Sequence, residues 1–466
     1  SVEEKHAIEA LKYIFILLFQ LFSLTSLVNY TLTQLKSLKN IQADNTMKAA
    51  TPVSQYLRKS KHSETLQVNQ LSLTRAENDQ PVFKFGFGQS PFPVPEEITA
   101  ELANAAYRKE YMSVQGHLPL REAIANFHKE KEGKNWTAKN IIVGSGSKIL
   151  LFCVMAAFEQ AEILLPAPSW VSYEPQGQLA GHKVTWLNTT FEKKWHLTPE
   201  QLDQYCAERE TPKIPLILVL NYPSNPTGQT YNEAELCALA TVMKKHNIIV
   251  IADEIYSILS YKKDYATITD YYPEGCIVSS GLSKWCGAGG WRLGFMHIPP
   301  QLENLLSTVI GVASETYSCA PSPIQIAATK AYSSLSITDG FIAKQIDILS
   351  DISEYCAKML SIIGINVHAA EGGFYLFPDF SAFTEKLKGR GIETSEQLTT
   401  VLMEETGIAL LPGSAFGMPP NNLTARLAFV DFDGEETISQ KSNEYEYEKI
   451  KKGISLICLW FLSLNK

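Results

Sequence analysis

Apolar and polar positions alternate in blocks along most of the chain. Residues 140–143 form a short, mostly apolar run ending at Gly144, residues 163–165 end at Pro166, and residues 183–187 alternate in polarity. Residues 215–220 (PLILVL) run into Asn221, residues 247–252 (NIIVIA) run into Asp253, and residues 276–279 stop before Gly281. Short apolar runs closed by Gly, Pro, Asn or Asp predict buried strands. Helical patterns such as residues 233–246 lie between them. Strands interleaved with helices predict an α/β fold with a mostly parallel sheet covered on both faces.

The pattern changes after Ser334. Residues 346–363 read as a helix, residues 372–377 (GGFYLF) and 425–430 (ARLAFV) as strands, and residues 446–461 as a closing amphipathic helix. This predicts a smaller α+β unit. The expected layout is an N-terminal extension over residues 1–50, an arm and part of the small domain over 51–99, a large domain over 100–335 and a small domain over 336–466.

The extension stands apart. Its segment 13–28 (YIFILLFQLFSLTSLV) is near the lower limit for a membrane-spanning helix and long for a signal-peptide core. Glu3, Glu4 and Glu9 precede it, where a signal peptide carries positive charge. Three readings remain open: a membrane anchor, a targeting segment, or a non-native extension ahead of Met47. A cytoplasmic location is expected, with membrane association or targeting through residues 1–46 as the alternative.

Composition narrows the function class. At 466 residues the chain holds two or three structural units, on the rule of roughly 150 residues each. With 45% hydrophobic and 19% charged residues it is neither disordered, collagen-like nor a coiled-coil rod. A net charge of -8 with no long basic block makes the chain a poor candidate for nucleic-acid binding, and no nucleic-acid partner is expected. The eight cysteines are scattered with no C-x-x-C pair, which argues against zinc and disulfides and fits a reducing compartment. The nine histidines show no metal-like spacing, so no metal site is expected.

The strand ends carry the candidate chemistry. N-Y-P-S-N-P-T-G, with Asn225, follows residues 215–220; A-D-E-I-Y, with Asp253 and Tyr256, closes the next strand; S-G-L-S-K-W-C-G-A-G-G-W-R carries Lys284 and Arg292. Ligands of open α/β sheets bind beyond the carboxyl ends of strands, so these residues converge on one crevice. A lysine there can form a Schiff base with an aldehyde cofactor. An aspartate can keep a pyridine nitrogen protonated, and an asparagine and a tyrosine can bond a ring oxygen. The V-G-S-G-S-K run, with Gly146, Ser147 and Lys148, opens a helix whose free N–H groups suit a phosphate, and Arg292 adds a charged fork. Trp170 can stack on a flat ring. Cys286, two positions after Lys284, reads as a small buried filler rather than a nucleophile. Each residue alone has a bland reading as turn, helix cap, core or surface charge; the case rests on their order and their strand-end placement.

In that order the set resembles the class I/II aminotransferases, the fold-type I enzymes that use pyridoxal 5′-phosphate, and most closely the aspartate aminotransferase group. The resemblance covers residues from about 70 to 460. It implies Lys284 as Schiff-base lysine and proton shuttle, Asp253 at the pyridinium nitrogen, and Asn225 and Tyr256 at the ring oxygen. It further implies Trp170 stacked on the ring, and Gly146, Ser147, Lys148 and Arg292 around the phosphate. Arg426 matches the arginine that grips the substrate α-carboxylate, and Gly88 the loop glycine beside it, while Trp170 and Asn225 also border the substrate. Tyr111 matches a tyrosine that reaches the phosphate of the neighbouring subunit, which implies a homodimer with shared sites. Gly372, Phe374 and Tyr375 border the pocket expected for the substrate side chain.

Some positions depart from the family pattern. Gly281 stands three residues before Lys284, where the family commonly has a hydroxyl on the phosphate. Ser147 and Lys148 are not the commonest phosphate-loop residues, and Gln89 replaces a frequent acidic residue after the loop glycine. No second arginine for a distal carboxylate stands out. The expected function is transfer of an amino group from an L-amino acid to a 2-oxo acid, with 2-oxoglutarate as acceptor. The alternatives are a lyase or synthase using the same cofactor, and a non-catalytic cofactor-binding protein tethered to a membrane through residues 13–28.

Overall fold

The structure, a computed structural model, describes residues 74–464 apart from 76, 79, 211–212, 264 and 441–444. These residues belong to one compact unit, Lys59–Lys466. The apolar segment 13–28 and the first part of the expected arm lie outside the described residues. Among the described residues no helix is long and apolar enough to cross a membrane.

Seven strands build the main sheet: β1 (Ile141–Gly144), β2 (Glu162–Ala167), β3 (Lys183–Asn188), β4 (Leu216–Asn221), β5 (Ile249–Asp253), β6 (Cys276–Gly281) and β7 (Gly294–His297). Their order is β1-β7-β6-β5-β4-β2-β3. The neighbours from β6 to β3 pair in parallel, and β7 runs antiparallel to both β1 and β6. The sequence pattern did not separate β7, because GFMH is short and follows a glycine-rich loop.

Side-chain alternation explains the unbroken apolar runs. In β4, Leu216, Leu218 and Leu220 pack with Leu202 and Leu236 from the helices Pro199–Glu208 and Glu233–Lys245. Ile217 and Val219 face the opposite core, with Leu150 and Val154 of the helix Ser147–Ala156 and Val309 of Glu303–Thr316. Capping boxes at Thr198/Gln201 and Asn232/Glu235 satisfy the first N–H groups of the first two helices. The register sets Asn221 beside Asp253 and Asp253 beside Ser279, so β4, β5 and β6 end along one edge.

A second sheet pairs β8 (Tyr375–Leu376), β9 (Leu411–Pro412) and β10 (Ala425–Ala428) antiparallel in the order β8-β10-β9. The segment before Gly88 joins it through the Phe83–Ile408 bridge and the Ala428 N–H, which donates to Phe85 O at 2.7 Å. The strand expected over 372–377 shrinks to two residues. Gly373 has φ 69°, and a Cβ on Gly372 would meet Pro223 Cγ at 2.4 Å, so these glycines turn against the main sheet instead of extending the ladder. The helix expected at residue 346 begins at Leu335, because packing of Phe341 and Ile342 on the core outweighs the local cost of Gly340.

Candidate active site

The edge shared by β4, β5 and β6 gathers the predicted residues. Asn221 ties two loops together: its Nδ2 donates to Asp253 O at 2.7 Å, and its Oδ1 accepts from Asn225 N at 2.6 Å. Alternation along β5 turns Asp253 to the same face as Ile251, toward Tyr173. The Tyr173 hydroxyl donates to Asp253 Oδ2 at 2.6 Å. Asp253 Oδ1 is buried and accepts no well-formed hydrogen bond. Burial pushes the Asp253 carboxyl up to about 6, against the opposing pull of Tyr173, the Ile255 N–H and the Lys284 ammonium.

Lys284 follows β6. Its Nζ donates to Gly88 O at 2.8 Å and lies 5.4 Å from the Tyr256 ring centre and 5.3 Å from that of Phe374. The Tyr256 hydroxyl is 2.9 Å from the Tyr375 hydroxyl. Burial first, and the neighbouring Tyr375 next, hold the Tyr256 phenol well above its ordinary range.

Arg426, on β10, is 3% exposed. Its Nη1 donates to Asn225 Oδ1 at 3.1 Å and its Nη2 to Gly86 O at 2.7 Å, while Nε is buried without a partner. The guanidinium lies 4.8 Å from the Tyr375 ring centre and 5.2 Å from that of Phe416. A buried arginine with no carboxylate partner among the described residues is costly on its own and suits an incoming anion.

A second cationic corner forms where β1 meets the helix Ser147–Ala156. Gly146 caps that helix at φ 91°, and a Cβ there would meet Arg292 Nη2 at 2.3 Å. A Cβ on Gly294 would meet Ser147 N at 2.2 Å. The glycines let Arg292 and the backbone N–H groups close on one point. Lys148 lies beside them, 5.1 Å from the Trp170 ring centre, and its ammonium is held below its ordinary value by partial burial and then by Arg292. Trp170 meets Tyr173 edge to face at 5.2 Å.

Gly281 has a packing reason. A Cβ there would lie 2.6 Å from Leu293 O and 2.8 Å from Gly294 Cα, so the neighbouring strand β7 leaves no room for a side chain. Tyr111 is 90% exposed at the surface. Cys286 is fully buried, and burial pushes its thiol up to about 12, which fits a filler. No cluster of His, Cys, Asp and Glu fit for a metal occurs among the described residues. Two partners escaped the sequence pattern: Tyr173, which 80 residues separate from Asp253, and Asn221, which reads as the end of an ordinary strand.

Residues 80–431 match the profile of the family described as aminotransferase class I and II. The chain belongs to that family. It is 31% identical over 381 residues to the aspartate/prephenate aminotransferase of Cereibacter sphaeroides, covering 79% of this chain and 92% of that protein. It is 30% identical to the asparagine–oxo-acid transaminase of Streptococcus mutans, covering 80% and 93%. Among solved structures, the aspartate aminotransferase of Thermotoga maritima superposes with a TM-score of 0.75 at 25% identity, covering 88% of this chain and all of that one. As a class I/II aminotransferase of the aspartate aminotransferase type, the chain is a pyridoxal-phosphate-dependent enzyme acting on amino acids and 2-oxo acids.

Proposed function

We propose that this aminotransferase moves the amino group of an L-amino acid to 2-oxoglutarate, with Lys284 as the amine that holds the cofactor aldehyde. The observation that carries this reading is the unpartnered Asp253 Oδ1, buried on the sheet edge that Lys284 shares. A buried carboxylate oxygen without a donor calls for one, and a protonated pyridine nitrogen is such a donor. The helix N-terminus at Ser147, with Arg292 and Lys148 free of carboxylates among the described residues, fits a phosphate. The residues present therefore fit pyridoxal phosphate.

When bound, pyridoxal phosphate supplies an aldehyde for the amine and a ring that stabilises negative charge at the substrate Cα. Asp253 would accept the ring N–H, with Tyr173 favouring its ionised form. Tyr256 would donate to the ring oxygen. Asn225 would offer its side-chain N–H groups to the same oxygen, because its Oδ1 is engaged by Arg426. Trp170 would stack on the ring. Arg426 would take the substrate carboxylate, each charge-assisted bond contributing about 1.5–3 kcal/mol. Lys284 Nζ, which donates to Gly88 O in this structure, would take and return the Cα proton. We assign residues 100–335 to a large cofactor domain and residues 336–466, joined by part of the stretch 80–99, to a small one. Exposed Tyr111 would reach the phosphate of a second copy in a homodimer.

An amino-donor panel with 2-oxoglutarate and added pyridoxal phosphate tests the reading. The expected result is glutamate formed in step with loss of one donor. Pyruvate and ammonia released from a single amino acid without any acceptor would instead favour the lyase alternative.

A further inference from the structure

The cofactor-side and carboxylate-side groups of the site meet at one residue outside both assigned sets. Tyr375 opens β8, and the β8–β10 register pairs it with Ala428. Arg426 lies two residues along β10 and so on the same face, diagonal to Tyr375. The guanidinium lies 4.8 Å from the Tyr375 ring centre. At the other end of that ring, the hydroxyl lies 2.9 Å from the Tyr256 hydroxyl and 3.5 Å from Gly88 O, the oxygen that holds Lys284 Nζ. Gly88 is shaped to this hydroxyl: a Cβ there would stand 2.0 Å from Tyr375 Oη. Tyr375 is 1% exposed, so water does not stand in for these contacts.

We propose that Tyr375 is a positioning residue that ties the substrate-carboxylate arginine to the cofactor-oxygen tyrosine, its ring bearing on Arg426 and its hydroxyl donating to Tyr256. The inference rests on the reading of Tyr256 and Arg426 given above. The direction of the hydroxyl bond follows from proton counting. Each tyrosine has one O–H. If Tyr256 spends its proton on the ring oxygen, its own oxygen is left to accept, and the single Tyr375 proton goes to that oxygen at 2.9 Å in place of Gly88 O, to which the hydroxyl otherwise donates at 3.5 Å. That donation makes Tyr256 a stronger donor and favours the anionic ring oxygen. The ring contact is separate. It holds the guanidinium at a fixed height in a dry site, where a cation over an aromatic face counts for most.

Two variants separate the parts. Tyr375→Phe keeps the ring and removes the hydroxyl; Tyr375→Leu removes both. Both are loaded with pyridoxal phosphate, and the pH midpoint of the bound cofactor's absorbance is recorded beside the apparent Kd for L-aspartate in a spectral titration without any 2-oxo acid. Tyr375→Phe is expected to raise the midpoint by about half a unit or more and to leave the Kd within about twofold. Tyr375→Leu is expected to raise the midpoint similarly and to weaken L-aspartate about fivefold or more relative to Tyr375→Phe. A wild-type midpoint in Tyr375→Phe overturns the hydroxyl link, and equal Kd values in the two variants overturn the ring contact. A wild-type protein that gives no cofactor absorbance overturns the underlying reading, and this proposal with it. A residue that only filled space would leave the midpoint of Tyr375→Phe where it was.

Discussion

The Tyr173 hydroxyl donates to Asp253 Oδ2 at 2.6 Å and leaves Oδ1 as the open face of a fully buried carboxylate. One oxygen is held by a side-chain donor, and the other accepts no well-formed hydrogen bond. The bond also opposes the burial that pushes this carboxyl up to about 6.

Tyr173→Phe should therefore raise the Asp253 pKa further and leave less carboxylate to meet a protonated ring. Loss of a hydrogen bond to a charged group is worth about 1.5–3 kcal/mol, so pyridoxal phosphate should bind roughly ten-fold or more weakly. The deficit should grow as pH falls from about 8 to about 6, because protonation of Asp253 removes the charge. Fluorescence titration with the cofactor at both pH values measures it; equal Kd values for wild type and variant would refute the role.

Gly281→Ser places a hydroxyl three residues before Lys284. It should not add a phosphate contact. The new Cβ would press on Leu293 O and Gly294 Cα, backbone atoms at the entry to the adjoining strand. Overpacking of this kind costs about 1–3 kcal/mol. The expected result is a lower Tm with no gain in cofactor affinity; an unchanged Tm with tighter binding would show that β7 can give way.

Glu254, the residue after Asp253, has its carboxyl pushed from 4.5 up to about 8, by burial first and the Glu132 charge next, with Thr267, Lys134 and Tyr222 pulling the other way. The folded state then binds this proton more tightly than the unfolded chain does. Its contribution to stability is present below about pH 4.5 and is lost as pH rises through about 8. Glu254→Gln keeps the shape and removes the titration. Between about pH 5 and about pH 8.5 the wild type should lose roughly 1–3 kcal/mol more stability than the variant. Urea unfolding at the two pH values checks this, and parallel pH slopes would contradict it.

Much of this arrangement was legible in the sequence, for a physical reason. Strands buried on both faces are apolar throughout, so the first polar residues past each run mark the sheet edge where ligands bind. Asn225, Asp253 and Lys284 stand out in that way: Asn221 bonds to the backbone of the first two, and the Lys284 charge acts on the Asp253 carboxyl. What stayed hidden depends on contacts distant in sequence. Tyr173 serves Asp253 from 80 positions away, and nothing in its own segment marks it. Tyr375 was expected to border the substrate pocket, but its contacts with Arg426 and Tyr256 come from the β8–β10 register and are not written in its own segment. The constraint on Gly281 lies in β7, a strand too short to announce itself. The apolar segment 13–28 lies outside the described residues, and its three readings stand as they were.

In the proposed mechanism Lys284 holds the cofactor aldehyde. Borohydride reduction of the pyridoxal-phosphate-loaded protein, followed by peptide mass mapping, locates that amine. The reduced pyridoxyl group is expected on the peptide carrying Lys284, and not after reduction of a Lys284→Ala variant. Stable labelling of another lysine, with Lys284 unmodified, would contradict it.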